Sequence, residues 1–310
     1  MKKTLLGWGL FVAGVIVLVS AAMIGGGLAL VHQPDQEERE VPAPAQEEPE
    51  PEDEPVAGDE PENDPEAEED EPAAHIASEV LAGPADTDLN VRLEEILEGR
   101  PGEYSVSLIE LSGEGRHAAY SADAPMEPAS TYKLYVAYSA LKQVEAGELA
   151  WDQAIADGRD LDQCFYDMIA VSDNPCAEEL LYDVVGRDQI VADLPETGVE
   201  TTSFEVGDVH TTAEDLAGML ARWESGELPL DTESDAVLMD AMAENIHRDG
   251  IPAGVSGDVH DKVGFIDGYL HDAAVIHDEA GTWVLTILTE GSSWDEIAEI
   301  AEEAEAALGR

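Results

Sequence analysis

The 310-residue chain predicts an α/β fold of the α+β sandwich kind: an antiparallel sheet flanked by terminal helices, with a helical lobe attached. Three observations predict it. Amphipathic helical periodicity opens and closes the folded part. Two strand-like segments follow the first helix and three precede the last. The residues between them read as mostly helical. Strands from both ends then pair into one sheet, and the junction of sheet and lobe is the natural place for a pocket.

The first residues are not part of that fold. Residues 4–31, TLLGWGLFVAGVIVLVSAAMIGGGLALV, carry no charge over 28 positions. About 20 apolar residues cross a bilayer, and a cleavable signal peptide needs only about 7–15. Residues 1–32 therefore read as an uncleaved membrane anchor, although VSA at Val19–Ala21 offers a cleavage site that would leave the protein secreted. Lys2 and Lys3 belong on the cytoplasmic side by the positive-inside rule, which expects the rest of the chain outside, at the extracellular face of the membrane.

Residues 33–75 are a different polymer. The run PAPAQEEPEPEDEPVAGDEPENDPEAEEDEP has no aromatic residue and too little apolar surface to offset chain entropy. It reads as a disordered acidic linker, extended by proline and like charge. Acidity continues beyond it: the chain has 70 acidic residues against 14 basic ones, a net charge of -56. Nucleic acid and anionic lipid surfaces are excluded as partners on that balance. A domain so acidic suits a salty habitat, where counter-ions screen self-repulsion.

Residues 76–310 form the folded block. Thr87–Leu97 is expected to be a helix, since Leu89, Leu93, Ile96 and Leu97 share a face and Gly99 with Pro101 stops it. YSVSLIEL, Tyr104–Leu111, alternates as a strand, and SGEG turns it into the short strand HAAYSAD. A helix is expected to open at Ala129 or Ser130 and run to Gly147, with Leu134, Ala137, Tyr138, Leu141 and Val144 in the 3.6 period. Residues 151–225 read as helices with loops. HDKVGF, AAVIH and TWVLTILTE read as three strands, and WDEIAEIAEEAEAAL as a closing helix. Cys164 and Cys176 are the two cysteines; outside the cytoplasm a disulfide is the commoner state, two buried small residues the alternative.

Lysine is scarce: Lys2, Lys3, Lys133, Lys142 and Lys262 are all there are. Lys133 follows Ser130 by three residues, which places both on one helical face about a turn apart. A serine hydroxyl needs a base to become a nucleophile, and a lysine with a depressed pKa can be that base. By itself the pair is equally a serine cap before a surface lysine. Ser172-Asp173-Asn174 lies between helical stretches. It could relay a proton through Ser172 and hold a substrate amide with Asn174, with Asp173 as a buried acceptor; alone, it is more simply a loop with a helix cap. Lys262-Val263-Gly264 begins a strand. Lys262 could hold a substrate carboxylate and depress another lysine's pKa, and Gly264 could admit close approach of substrate; the alternative is an edge-strand lysine that discourages aggregation.

Together, in this order, S-x-x-K, S-D-N and K-x-G resemble the penicillin-recognising serine enzymes, class A β-lactamases and related D,D-peptidases. The resemblance extends along GEYSVSLIELSGEGRHAAYSADAPMEPASTYKLYVAYSALKQVEAGEL, HTTAEDLAGML and VHDKVGFIDGYLHDAAVIHDEAGTWVLTILTEG, nearly all of residues 76–310. It implies a β-lactamase-like serine hydrolase with Ser130 as acylated nucleophile and Lys133 as its base partner. Ser172 would relay a proton, Asn174 would orient the substrate amide, and Lys262 would supply positive charge. The backbone N–H groups of Ser130 and Phe265 would form the oxyanion hole.

Two features depart from the family. Val263 stands where threonine or serine is usual, and the last two strands hold no arginine to replace that hydroxyl. E-x-x-L-N, whose glutamate clears the acyl-enzyme, is absent; the corresponding region, LPETGVETTSFEVGDVHTT, offers only Glu196, Glu200 and Glu205. The expectation is acylation by β-lactams or acyl-D-alanyl peptides with poor deacylation. A D,D-carboxypeptidase or peptidoglycan hydrolase is the alternative, and a degenerate wall-peptide binder a further one. No cofactor and no metal are expected, the eight histidines being dispersed and read as surface residues. The protein is expected to be a monomer.

Overall fold

The computed structural model describes residues 85–310. The anchor expected at 1–32, the linker expected at 33–75 and the first residues of the domain expected from 76 lie outside the described residues. Among the described residues no helix is long and apolar enough to cross a membrane.

Helix α1 (Thr87–Leu97) starts where the Asp86 carboxylate accepts from the N–H groups of Asp88 and Leu89. Its buried residues, Leu89, Leu93 and Leu97, recur every fourth position. Strands β1 (Glu103–Glu110) and β2 (His117–Tyr120) follow. The lobe contains α2 (Lys133–Glu145), α3 (Leu161–Tyr166), α4 (Asn174–Glu179) and α5 (Arg187–Asp193). After these come the ribbon β3 (Ser203–Glu205) and β4 (Asp208–His210), then α6 (Ala213–Glu224), α7 (Thr232–Ala243) and α8 (Ile251–Gly254). Strands β5 (Asp258–Ile266), β6 (Tyr269–Asp278) and β7 (Gly281–Glu290) lead into α9 (Trp294–Leu308).

The main sheet has the order β2-β1-β7-β6-β5, antiparallel throughout. β7 lies in the middle, and its run WVLTILT is buried on both faces, which is why it reads as nearly continuous apolar sequence. Leu285 and Ile287 face α1 and α9, where they pack with Leu93, Ile297 and Ile300. Val284 and Leu288 face the lobe, where α2 and α6 supply Leu134, Leu141, Leu216 and Leu220. Helix α2 is the axis of the lobe: every residue from Lys133 to Leu141 is buried.

Four local differences from the sequence expectation have physical causes. The helix expected from Ala129 or Ser130 begins as a 3₁₀ turn over Ala129–Tyr132, with α2 proper starting at Lys133. Both the backbone N–H and the hydroxyl of Thr131 bond the Pro128 carbonyl, at 3.1 and 2.6 Å, which tightens the turn. The middle also holds the β3–β4 ribbon, whose three-residue strands are too short to show a period; Phe204 anchors it edge-on to Tyr132 and Tyr135. β5 and β6 extend beyond HDKVGF and AAVIH, because Asp267-Gly268 with φ of 44° and 97° form a two-residue turn of the kind that matches strand twist. Finally, His271 is fully buried rather than on the surface. Its Nε2 donates to the Glu127 carbonyl at 2.7 Å and its Nδ1 accepts from the Thr289 N–H at 3.1 Å, so the neutral ring ties β6 and β7 to the segment before Ser130. Burial lowers its pKa.

Candidate active site

Three segments far apart in sequence meet where the lobe joins the edge of the sheet. The first is the 3₁₀ turn bearing Ser130. Ala129, just before it, has φ of 44°, a left-handed conformation that costs a non-glycine residue about 1 kcal/mol or more. Gly264 on β5 explains why the turn fits: a Cβ there would lie 3.0 Å from both the Ser130 amide nitrogen and the Pro128 carbonyl oxygen. The close approach that this glycine permits includes that of the nucleophile turn.

The second segment is the Ser172–Asn174 loop. Ser172 is also left-handed, with φ of 61°. The loop is clamped from both sides by the Cys164–Cys176 disulfide, which spans α3 and α4 with a Cα–Cα distance of 5.2 Å. Asp173 is half-buried rather than buried, and caps α4 through the Cys176 N–H at 2.9 Å while pairing with Arg159 at 3.1 Å. Partial burial would raise its pKa, but the Cys176 N–H and the Arg159 guanidinium hold it below the usual value.

The third segment is β5 itself, an edge strand. Its hairpin closes at the Ile266–Tyr269 pair, and hydrogen bonding alternates along the strand from there. The N–H of Phe265 therefore points away from β6, onto the open edge where the Ser130 turn packs. Ser130 and Phe265 both border the cleft.

The charged groups converge on one hydroxyl. Lys133 Nζ donates to the Ser172 carbonyl at 2.7 Å, to Ser172 Oγ at 3.2 Å and to Asn174 Oδ1 at 2.8 Å. Lys262 Nζ donates to Ser172 Oγ at 2.9 Å and to the Val263 carbonyl at 2.9 Å. Ser172 Oγ thus accepts from both lysines. A hydroxyl has two acceptor positions and one proton, so both acceptor positions of Ser172 Oγ are taken when the two amines donate. Asn174 presents its oxygen to Lys133, which leaves its NH₂ for a substrate carbonyl.

Both ammonium groups are destabilised. Burial lowers the Lys133 pKa to about 8, with Asp173 and Glu178 pulling the other way. Burial and then the charge of Lys133 lower Lys262 to about 7, against the pull of Asp261 and Asp272. The two ammonium groups repel each other, as the pairing of Lys262 with a second lysine leads one to expect. Two amines around one hydroxyl cannot both stay charged cheaply, so one neutral amine is at hand near neutral pH to take a serine proton.

The cleft beside Ser130 is a cavity of about 920 Å³ bounded by Tyr132, Asn174, Tyr182, Phe204 and Phe265. Arg187 lies over the Tyr182 ring at 5.5 Å and bonds the Phe204 carbonyl. Sequence reasoning named Phe265 for its N–H but did not single out Tyr132, Tyr182 and Phe204 as walls, since they come from separate segments. The acids at the cleft are Glu127 and Glu178, not Glu196, Glu200 or Glu205. Glu196 is held by Lys142 at 2.5 Å and by the Tyr138 hydroxyl at 3.0 Å. Among the described residues no cluster of three metal-ligating side chains occurs.

The family model described as the beta-lactamase enzyme family matches residues 88–310. No curated protein matches. Among solved structures, PBP-A is 18% identical with a TM-score of 0.67, over 74% of this chain and 99% of its own. A reconstructed class A beta-lactamase, the last common ancestor of Gram-negative bacteria, is 23% identical with a TM-score of 0.65, over 71% of this chain and 99% of its own. A beta-lactamase from Xanthomonas campestris is 22% identical with a TM-score of 0.64, over 71% of this chain and 97% of its own. The fold is that of class A β-lactamases, and the chain belongs to the beta-lactamase enzyme family as a β-lactamase-like serine hydrolase.

Proposed function

We propose that this protein is acylated at Ser130 by β-lactams or acyl-D-alanyl peptides and releases the acyl group slowly. One observation carries the reading: Ser172 Oγ accepts from Lys133 at 3.2 Å and from Lys262 at 2.9 Å. In acylation, Lys133 takes the Ser130 proton as Oγ bonds the carbonyl carbon, in the fraction of molecules where it is neutral, a fraction that grows as pH approaches its pKa of about 8. The Ser130 and Phe265 N–H groups hold the oxyanion. The carbon–nitrogen bond then breaks as Ser172 gives its proton to the leaving nitrogen and regains one from the lysine pair. Hydrolysis of the ester returns the proton to Ser130.

Slow release is expected from the region where the family's deacylating glutamate stands, although Glu127 and Glu178 of other segments border the cleft. A general base contributes about 10²–10⁴-fold, and the glutamates of the LPETGVETTSFEVGDVHTT region do not border the cleft. A β-lactam leaving group stays tethered and blocks water, whereas a peptide leaving group departs, so a D,D-carboxypeptidase or peptidoglycan hydrolase is the second reading. Val263, with no hydroxyl for a carboxylate, favours a wall-peptide binder without turnover as the remaining one. The uncharged run at residues 4–31 supports placement at the outer face of the membrane, or secretion after cleavage. The protein acts as a monomer in this reading.

Intact-mass measurement after mixing with a fluorescent penicillin tests it. A single adduct on Ser130 that decays over many minutes is expected. Rapid multiple turnover would show that a base has been missed, and Glu178 would be the first residue to substitute.

A further inference from the structure

A second cavity of about 430 Å³ lies over the edge of the sheet, bordered by His247, Asp249, Val263, Phe265, Leu270 and Trp294. Phe265 borders this cavity and the cleft of Ser130 alike. The Phe265 ring, half exposed, is set edge-on to His247 at 5.4 Å and to Trp294 at 6.3 Å and stands between the two cavities. A carbonyl held by the Ser130 and Phe265 N–H groups has one cavity on each side of that ring. The Asn174 side takes the acyl group. The other side, along Val263, would take the leaving group.

The lysine and arginine nearest to this second cavity are engaged elsewhere, which leaves the His247 ring as a potential donor to an anion on its border. Val263 has no hydroxyl and lines the cavity with methyl groups. Lys262 is fully buried, with Nζ turned inward to Ser172 Oγ and the Val263 carbonyl. Burial and the neighbouring Lys133 also lower its pKa to about 7. Arg248 is occupied by Asp261 at 2.5 Å and by the Val259 carbonyl at 3.0 Å. The charged side chain bordering the cavity is Asp249, which repels an anion. Leu270 and Trp294 complete an apolar wall.

We propose that this cavity binds the leaving group, and that the preferred substrates are esters or amides whose leaving group is apolar and carries no carboxylate. This rests on Ser130 being the acylated nucleophile. Penicillins and D-alanyl peptides, which place a carboxylate on that side, then acylate Ser130 as secondary substrates. An apolar leaving group gains by filling the cavity, while a carboxylate gives up water for no cation.

The test uses two thioesters with the same phenylacetyl group on the full-length protein. One leaves as thioglycolate and the other as the methyl ester of thioglycolate. Intact mass reports the Ser130 adduct and thiol release gives kcat/KM. The uncharged substrate should be favoured at least about tenfold beyond the ratio of the two hydroxide-catalysed rates. Val263→Thr, which keeps the side-chain volume and adds a hydroxyl, should raise kcat/KM for thioglycolate and narrow the ratio severalfold. Equal rates or a preference for the carboxylate would overturn the inference while a Ser130 adduct still upheld the acyl-enzyme. No adduct with either thioester or with penicillin would overturn both.

Discussion

Gly264 sits against Ser130 so closely that an added Cβ would lie 3.0 Å from the nucleophile's amide nitrogen. The obstructing atoms are backbone, the Ser130 nitrogen and the Pro128 oxygen, so they cannot swing aside as a side-chain end would. Gly264→Ala should therefore displace the 3₁₀ turn by a few tenths of an ångström. Misplaced reacting groups cost about 10²-fold per ångström. We expect acylation to slow about tenfold, with circular dichroism unchanged. An unaltered acylation rate in a folded variant would show that the packing of turn on strand does not set the geometry of the nucleophile.

Ser130 and Ser172 have separable roles. Ser130→Ala should abolish covalent labelling by penicillin in a folded protein. Ser172→Ala should leave the adduct on Ser130 but slow its formation by about 10²–10⁴-fold, the usual contribution of proton transfer. Peptide mapping of the adduct distinguishes the two. An adduct retained in Ser130→Ala would refute the mechanism.

The depressed lysines predict a pH dependence with a definite sign. Acylation needs a neutral amine, and the pKa values are about 8 for Lys133 and about 7 for Lys262. The acylation rate should rise through pH 7–8 with apparent pKa values that belong to the pair, and below that range fall about tenfold per unit. Stability follows the same groups. Unfolding restores their pKa to the ordinary lysine range near 10.5, so between about 7 and 10.5 the unfolded chain binds more protons. This contribution makes the fold more stable as pH rises across that window. Lys262→Met should raise the melting temperature at pH 7 while suppressing acylation. A lower melting temperature in that variant would mean that the two hydrogen bonds of Lys262 outweigh the cost of burying it.

The Cys164–Cys176 bridge closes a loop of sequence separation 12, for which chain entropy suggests about 2–3 kcal/mol. Because the loop contains Ser172, the double variant Cys164→Ala/Cys176→Ala should lose both stability and acylation rate. Urea titration with parallel acylation kinetics tests this. Lost stability with an intact rate would show that the loop is held by its hydrogen bonds to Arg159 and Lys133 alone.

The acid excess predicts a response to salt. Repulsion among carboxylates falls as the Debye length shrinks from about 10 Å at 0.1 M to about 3 Å at 1 M. The melting temperature should rise between those sodium chloride concentrations. A flat or falling value would show that the ion pairs, such as Arg310 with Glu110 and Asp278, already balance the field.

The sequence by itself determined what is local. The spacing of Leu89, Leu93 and Leu97 makes one face of α1, and the pattern of WVLTILT makes a central strand, because helix and strand periods are properties of consecutive residues. The identities and order of Ser130, Lys133, Ser172, Asn174 and Lys262 likewise stand in the sequence. The tertiary structure decided what those side chains face. Lys133 and Lys262 reach Ser172 across 39 and 90 residues of chain, and burial there lowers their pKa values. No periodicity encodes it, since desolvation depends on everything packed around a group. His271 shows the same limit. Its sequence neighbours include Asp272 and suggest a surface, yet it is buried because β6 lies second from the edge under the Ser130 turn. The partition by Phe265 and the apolar cavity behind it come from separate segments of the chain, and only folding brings their side chains to one wall.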